Sequence, residues 1–125
     1  VLQFHGSETE AFCASFAHRY WKAVHVADAG SVTRAVRDYP SADALLLETP
    51  TSSHGGSGKT FDWSRIPREA GARLLLAGGL SPENVVDAIR TVRPWGVDVS
   101  SGVESSRGVK SRERIAAFLA AVRSA

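Results

Sequence analysis

Short apolar runs recur along the chain at intervals of roughly 20 to 30 residues, with polar segments between them. Each run is too short for a helix, and most are continuously apolar, which is typical of parallel strands buried on both faces. The pattern therefore predicts five strands, at Val1–Phe4, Ala23–Val26, Ala44–Leu47, Leu74–Ala77 and Val97–Val99.

Helical patterns follow four of these strands. The first begins with Ser7-Glu8-Thr9-Glu10, which has the form of a capping box, and continues through Phe12, Phe16 and Tyr20 at four-residue spacing. The other apolar stripes are Val32–Tyr39, Val85–Val92 with Ser81 as the predicted N-cap, and Ile115–Val122 with Ser111 as the predicted N-cap. The remaining connection is a glycine-rich loop, Gly55–Gly58, followed by a short turn or helix near Asp62–Ile66.

Strands that alternate with helices across short connections predict βα units around a parallel sheet, with residues 1–125 as a single domain. Two α/β architectures fit this pattern. One is a doubly wound open sheet of five strands, and the other is part of a (β/α)8 barrel, which needs about 200–250 residues when whole. The length of 125 residues favours the open sheet.

Composition and charge narrow the function classes. The net charge is +2 with both signs interspersed, which gives little support to a nucleic-acid or polybasic membrane surface. No apolar run approaches the ~18 residues that span a bilayer. Cys13 is the only cysteine, so an intrachain disulfide and a cysteine-based zinc site are excluded. We expect a cytoplasmic protein that binds neither nucleic acid nor a membrane.

Ligands of parallel βα folds bind at the carboxyl ends of the strands, where two acidic residues stand. Glu48 directly follows Leu45–Leu47, and a carboxyl group beside apolar side chains suits a general acid. A solvated loop glutamate explains the position equally well. Asp98 alternates with Val97 and Val99, and a charge inside a buried strand is costly unless it is paired or functional.

Glycine and serine residues follow the last two predicted strands. Gly78 and Gly79 precede the helix capped by Ser81, and Ser101 and Gly102 follow the fifth strand. Glycines there let backbone N–H groups approach an anion, and phosphate sites after the last two strands recur in βα barrels. Either pair alone also suits a tight turn, but together they indicate a phosphate site.

Other candidate residues carry weaker signals. His5 ends the first strand, but a lone histidine is more often structural, and no second histidine lies at metal-ligand spacing, so we predict no metal site. Cys13 lies in a helical pattern and is predicted to pack rather than react. The run Gly55–Thr60 fails the P-loop template because Ser53 replaces its first glycine, which disfavours nucleotide hydrolysis. It predicts a mobile loop near the site or a structural glycine loop.

Four segments resemble signatures of the phosphoribosylanthranilate isomerase family of tryptophan biosynthesis. Leu2–Gly6 is similar to its fourth-strand motif, and Gly55–Trp63 is similar to the loop after its sixth strand. Leu76–Asn84 and Val97–Glu104 are similar to its seventh- and eighth-strand signatures. Phe4 stands where the family usually has leucine. The resemblance covers nearly the whole chain and implies a partial (β/α)8 TIM barrel. The chain would hold strands four to eight, with the first three βα units absent, against the argument from length.

The resemblance also implies a reaction and its participants. The family converts N-(5-phosphoribosyl)anthranilate to 1-(2-carboxyphenylamino)-1-deoxyribulose 5-phosphate by an Amadori rearrangement, without metal or organic cofactor. A general acid protonates the ribose ring oxygen and opens the ring to a Schiff base, and a general base then removes the C2′ proton. Glu48 matches the acid, where the family has aspartate. No residue matches the base, a cysteine that ends the family's first strand.

The remaining site residues are implied in the same way. His5 and Asp98 match substrate-binding positions, with Asp98 expected at the ribose hydroxyls. The phosphate-binding positions are matched by Gly78, Gly79, Ser101 and Gly102.

Three interpretations follow. We expect a piece of the isomerase that is inactive alone, because the base is missing and the missing N-terminal barrel segment leaves strand edges open. The alternative is a non-catalytic phosphate-binding half-barrel that self-associates. A sugar-phosphate isomerase of histidine biosynthesis is disfavoured by Gly55–Trp63 and needs aspartates at its own catalytic positions.

Overall fold

A parallel sheet of five strands forms the centre of the molecule in a computed structural model, which describes residues 1–48, 62–67 and 73–125. Each pair of neighbouring strands is parallel. The strands are β1 (Leu2–Phe4), β2 (Tyr20–His25), β3 (Ala44–Glu48), β4 (Leu74–Ala77) and β5 (Gly96–Val97).

The spatial order of the strands is their order in sequence, β1-β2-β3-β4-β5. In a doubly wound sheet the order in which strands are added reverses at a switch point, whereas in a βα barrel each strand lies beside the previous one. The described strands therefore follow the barrel order, and the preference for an open doubly wound sheet that length suggested is wrong.

Helices and a hairpin complete the described part of the chain. The helices are α1 (Glu10–Ala14), α2 (Gly30–Asp38), α3 (Val85–Val92) and α4 (Arg112–Ser124), with 3-10 turns at Trp63–Arg65 and Ser101–Val103. The turn at Trp63–Arg65 confirms the short element predicted near Asp62–Ile66. The antiparallel hairpin of β6 (Glu104–Ser106) and β7 (Val109–Lys110) was not predicted, because its strands are short and polar.

Both faces of the sheet are apolar, as the continuous runs predicted. Leu45, Leu47 and Leu76 are buried on the face that carries α2, α3 and α4. The opposite face holds a second cluster, whose buried members are Ala44, Leu46, Leu75 and Ala77. Burial of leucine on both faces stabilises the central strands by about 1.5–3 kcal/mol per side chain.

Three helix starts test the capping predictions. Ser111 caps α4 by accepting a hydrogen bond from the Arg114 N–H, as predicted. The cap of α1 is Thr9, not Ser7, and α1 ends at Ala14, so Tyr20 lies in β2 instead of a helix. The helix α3 begins after Asn84, three residues later than a Ser81 cap would place it. The segments before α1 and α3 each contain several short polar residues that could serve as the N-cap. Sequence spacing alone does not identify which of them does.

Apolar side chains remain exposed at the β1 edge of the sheet and on α4. Phe12 and Phe16, which follow edge strand β1, are each 51% exposed and pack against Phe4. In the predicted stripe of α4, Phe118 is buried, whereas Ile115 is 38% and Leu119 48% exposed. The pattern of α4 is therefore apolar over a wider arc than the described residues cover.

The helices of the described ranges include none with the length and apolar character that a membrane crossing requires. The Gly55–Gly58 loop and the P-loop comparison fall outside the described residues.

Candidate functional site

A pocket of about 160 Å³ lies at the carboxyl edge of the sheet, where the strand order brings β3, β4 and β5 side by side. Parallel strands end at the same edge, so residues far apart in sequence meet there. The lining includes six of the seven predicted site residues: Glu48, Gly78, Gly79, Asp98, Ser101 and Gly102.

The seventh predicted residue, His5, reaches the site through Glu48. Its Nε2 atom lies 3.1 Å from Oε2 of Glu48, although β2 separates their strands in the sheet. Glu48 is half-buried at the end of β3, and its backbone carbonyl accepts a hydrogen bond from the Val26 N–H at 3.0 Å. The carboxyl group is therefore held on a rigid strand, with an imidazole as its neighbour.

Asp98 lies in the pocket lining, but for a different reason from the one predicted. The strand β5 ends at Val97, and Asp98 is exposed just beyond it, so it is not a buried strand charge. Its N–H donates to the Leu76 carbonyl at 2.8 Å, which holds the residue beside β4. Exposure at the pocket makes the Asp98 carboxylate available to hydroxyl groups of a ligand.

The glycines after β4 and β5 permit a backbone that other residues could not adopt. Gly78 and Gly79 have φ of +83° and +66°, in the left-handed region that favours glycine. A Cβ on Gly102 would lie 1.7 Å from the Leu80 carbonyl oxygen. The two loops therefore touch, and only glycine at position 102 allows the contact.

Asn84 joins the β4 loop to the start of α3, a role that sequence reasoning missed. Its Oδ1 accepts from the Ser81 N–H at 2.8 Å, and its Nδ2 donates to the Gly79 carbonyl at 2.9 Å. Both bonds fix the backbone next to the pocket. An asparagine three residues after a serine at a helix start was the available signal.

A buried lysine fixes the loop that carries His5, and it was also missed. Lys22 in β2 is buried, and its Nζ donates to the Gly6 carbonyl at 2.7 Å and to Glu8 at 3.3 Å. The Glu8 carboxylate accepts from the Gly6 N–H at 2.9 Å. Hydrogen bonds from its own backbone N–H, from Gly6 and from Lys22 lower the pKa of Glu8. A lysine inside an apolar strand was the sequence signal.

Cys13 is fully buried in α1 and is not part of the pocket lining, in agreement with its predicted packing role. Burial raises the pKa of its thiol, which disfavours the thiolate that a nucleophile or base requires.

A larger groove of about 600 Å³ lies at the opposite, amino edge of the sheet. Its Asp43 carboxylate is already paired with Arg19 at 2.6 Å and Arg73 at 3.5 Å. The acidic group of this groove is therefore already engaged in ion pairs, and the groove is the weaker candidate for a catalytic site. Among the described residues no three acidic, histidine or cysteine side chains are placed to hold a metal ion.

Comparison with known proteins agrees with this geometry. The sequence model described as N-(5'-phosphoribosyl)anthranilate (PRA) isomerase matches residues 1–121. The N-(5'-phosphoribosyl)anthranilate isomerase of Hahella chejuensis is 53% identical over 123 residues, which are 98% of this chain and 58% of that protein.

Two solved structures are similar over 98% of this chain. The phosphoribosylanthranilate isomerase of Thermotoga maritima has a TM-score of 0.79 and 41% identity, and 61% of its chain is covered. An isomerase in complex with reduced 1-(o-carboxyphenylamino)-1-deoxyribulose 5-phosphate has a TM-score of 0.76 and 36% identity, with 59% covered. The chain thus spans about three fifths of the length of these relatives.

Sequential parallel strands with a glycine-lined pocket at their carboxyl ends define a protein of the βα-barrel class. Within that class the match over residues 1–121 is decisive. The chain belongs to the N-(5'-phosphoribosyl)anthranilate isomerase family of tryptophan biosynthesis.

Proposed function

We propose that this chain supplies the general acid and the phosphate-binding loops of a phosphoribosylanthranilate isomerase. The observation that carries the proposal is one pocket in which Glu48 faces the glycine loops after β4 and β5, in a chain of this family. In this interpretation the described sheet is strands four to eight of the eight-stranded barrel. A cytoplasmic location stays a prediction from the sequence.

The residues divide the work of the Amadori rearrangement. The substrate phosphate binds backbone amides of the two loops at Gly79, Ser101 and Gly102, and Asp98 accepts hydrogen bonds from the ribose hydroxyls. A related isomerase was crystallised with a reduced phosphorylated product, which supports a small phosphorylated ligand for this pocket. The proposed steps are proton transfers and require no metal or organic cofactor.

Glu48 is the proposed acid of the first step. Its protonated carboxyl donates to the ribose ring oxygen, the C1′–O bond breaks, and the nitrogen lone pair forms the Schiff base. His5 lies 3.1 Å from the Glu48 carboxyl, which supports a role in orienting it, and in this proposal His5 also contacts the substrate. A positioned acid of this kind contributes about 10²–10⁴-fold to rate.

The second step needs a base that removes the C2′ proton. The family resemblance assigns it to a cysteine ending the first strand of the barrel, and Cys13, the only cysteine of these 125 residues, is buried in α1. We therefore propose that the 125 residues on their own do not turn over substrate.

A fusion tests this division of roles. We expect the isolated chain to show no turnover of fluorescent phosphoribosylanthranilate above a Glu48→Ala control. A fusion that places the N-terminal part of the Hahella chejuensis relative before Val1 supplies the cysteine, and we expect it to be active. Turnover by the isolated chain well above the control, or an inactive but folded fusion, would contradict the proposal.

A second candidate function, a non-catalytic half-barrel that self-associates, is favoured by one observation. The edge of the sheet at β1 exposes Phe12 and Phe16, and α4, which packs against α3, exposes Ile115 and Leu119. Exposed aromatic and aliphatic groups beside an unpaired strand edge are typical of an interface. The occupant that we propose for the isolated chain is a second copy of itself.

Sedimentation velocity of the isolated chain tests self-association. We expect a discrete folded dimer whose melting temperature rises with inorganic phosphate, and a shift toward monomer for Phe12→Ser/Phe16→Ser. The matched control is Val109→Ser, which removes an equally exposed apolar side chain from the hairpin. A monomeric or polydisperse wild-type sample would count against this function and leave the isomerase proposal intact.

A further inference from the structure

Arg114, on the first turn of α4, connects the two glycine loops of the pocket. Its Nε donates to the Gly102 carbonyl at 3.0 Å, and its Nη2 donates to Glu83 at 3.2 Å. Gly102 belongs to the loop after β5, whereas Glu83 belongs to the segment between the β4 loop and α3. A single side chain therefore holds both loops, close to the point where Gly102 meets the Leu80 carbonyl.

Side chains that hold the carbonyls of the loop after β5 also restrict the orientation of its backbone N–H groups. The C=O and N–H groups of a trans peptide point in opposite directions, so a carbonyl held by a side chain determines where the next N–H points. Lys110 acts two peptides earlier, because its Nζ donates at 2.9 Å to the Ser100 carbonyl, which shares its peptide with the Ser101 N–H. The Ser100 and Gly102 carbonyls are thus both held, which restricts from either side the peptide between Ser101 and Gly102, two residues of the pocket lining.

Both cations are already balanced by carboxylates. Lys110 lies 2.7 Å from Glu104, and Arg114 lies 3.2 Å from Glu83. The hydrogen bond from Lys110 is the main cause that lowers the pKa of Glu104, and the pKa of Glu83 is lowered by Ser81 first and by Arg114 to a lesser degree. Neutralised pairs add little net attraction for an anion, so their effect on the pocket is geometric.

The exposure of the pair argues against a mainly stabilising role. The side chains of Arg114 and Glu83 are 37% and 64% exposed. Exposed ion pairs contribute little to the free energy of unfolding because solvent screens them. What remains distinctive about Arg114 is its position across the two loops.

We propose that Arg114 is a positioning residue of the phosphate pocket, which locks the Gly102 loop against the segment after Gly79 so that their backbone amides converge on one phosphate. The inference rests on the proposed phosphate site. It adds a residue that does not line the pocket and touches no substrate. Arginine suits the role because its planar guanidinium holds its N–H donors in a rigid fork, whereas the lysine ammonium is a compact group on a flexible stem.

The test is a titration of the ¹⁵N-labelled chain with inorganic phosphate, followed by the amide signals of Gly79, Ser101 and Gly102. We expect Arg114→Met to raise the phosphate Kd about fivefold or more, which corresponds to the net free energy of one ordinary hydrogen bond. Arg114→Lys is expected to fall between wild type and Met. The melting temperature of Arg114→Met should stay within a few degrees of wild type.

Arg112→Met is the matched control, since it removes the same charge from the same turn of α4. Its phosphate Kd should stay within about twofold of wild type. If Arg114→Met proves unstable, Glu83→Gln provides the second variant, because it removes the charge of the group that accepts from Arg114 and keeps its size, and it should also weaken phosphate binding.

Each outcome decides between the two proposals. Wild-type binding with an unchanged Kd in Arg114→Met and in Glu83→Gln would overturn the positioning role and leave the phosphate site standing. An equal loss in Arg112→Met would show a charge effect and would also overturn it. A wild-type chain whose loop amides do not respond to phosphate would instead refute the phosphate site of the proposed function.

Discussion

Replacing Glu48 with glutamine in the fusion described above is expected to lower turnover of phosphoribosylanthranilate by about 10²–10⁴-fold. Glutamine keeps the size and the hydrogen-bonding shape of the side chain at the end of β3, but it has no acidic proton to give to the ring oxygen. Steady-state fluorescence of the substrate measures the rate, and binding of reduced product shows whether the pocket is intact. A rate loss without a loss of binding assigns Glu48 to the chemical step.

Glu48→Asp is the informative companion of that variant. It introduces the aspartate that the family resemblance predicts at this position, shortens the side chain by one methylene and retains an acidic proton. A displacement of about 1 Å can change a rate by roughly 100-fold, so we expect the aspartate variant to match or exceed the parent fusion. Full activity of Glu48→Gln would remove Glu48 from the mechanism.

Gly102→Ala is expected to abolish phosphate binding and to destabilise the chain. The added Cβ would lie 1.7 Å from the Leu80 carbonyl oxygen and 2.8 Å from its carbon, and both are backbone atoms that cannot rotate away. The loop after β5 must therefore move away from the loop after β4. Overpacking of this kind costs about 1–3 kcal/mol, which denaturant unfolding measures.

The control for this substitution is Gly108→Ala in the β6–β7 hairpin. Gly108 has φ of +81°, yet a Cβ there would meet nothing within 4 Å. Its cost is that of a left-handed backbone alone, about 1 kcal/mol, with phosphate binding unchanged. If Gly102→Ala unfolded no more easily than Gly108→Ala and still bound phosphate, the close contact of the loops would not be required for phosphate binding or for stability.

The strands were predictable because burial on both faces leaves a direct mark on the sequence. Leu74–Ala77 has the predicted bounds, and Ala44–Glu48 differs by one residue. The strand β2 begins at Tyr20, three residues before the predicted start, because Lys22 interrupts the apolar pattern. Its ammonium group is satisfied by the Gly6 carbonyl and Glu8, partners that come from another part of the chain.

The candidate site was predictable in its composition and not in its assembly. Glycine pairs after two strands indicate a phosphate loop, and a carboxylate after a leucine run indicates an acid, since those residue types follow from local chemistry. Asp98 was placed in a buried strand, although the strand ends one residue earlier and leaves the carboxylate exposed. The end of a two-residue strand depends on its neighbour β4, which the local pattern does not contain.

The sequence by itself determined the βα alternation, the family and the residue types of the pocket, because periodicity, strand-end glycines and contiguous motifs are local properties of the chain. The tertiary structure alone decided the order of the strands, the contact of His5 with Glu48, the approach of Gly102 to Leu80 and the bridge made by Arg114. These features join residues separated by 12 to 43 positions. Such contacts form only when parallel strands end at one edge, so their geometry is a consequence of packing.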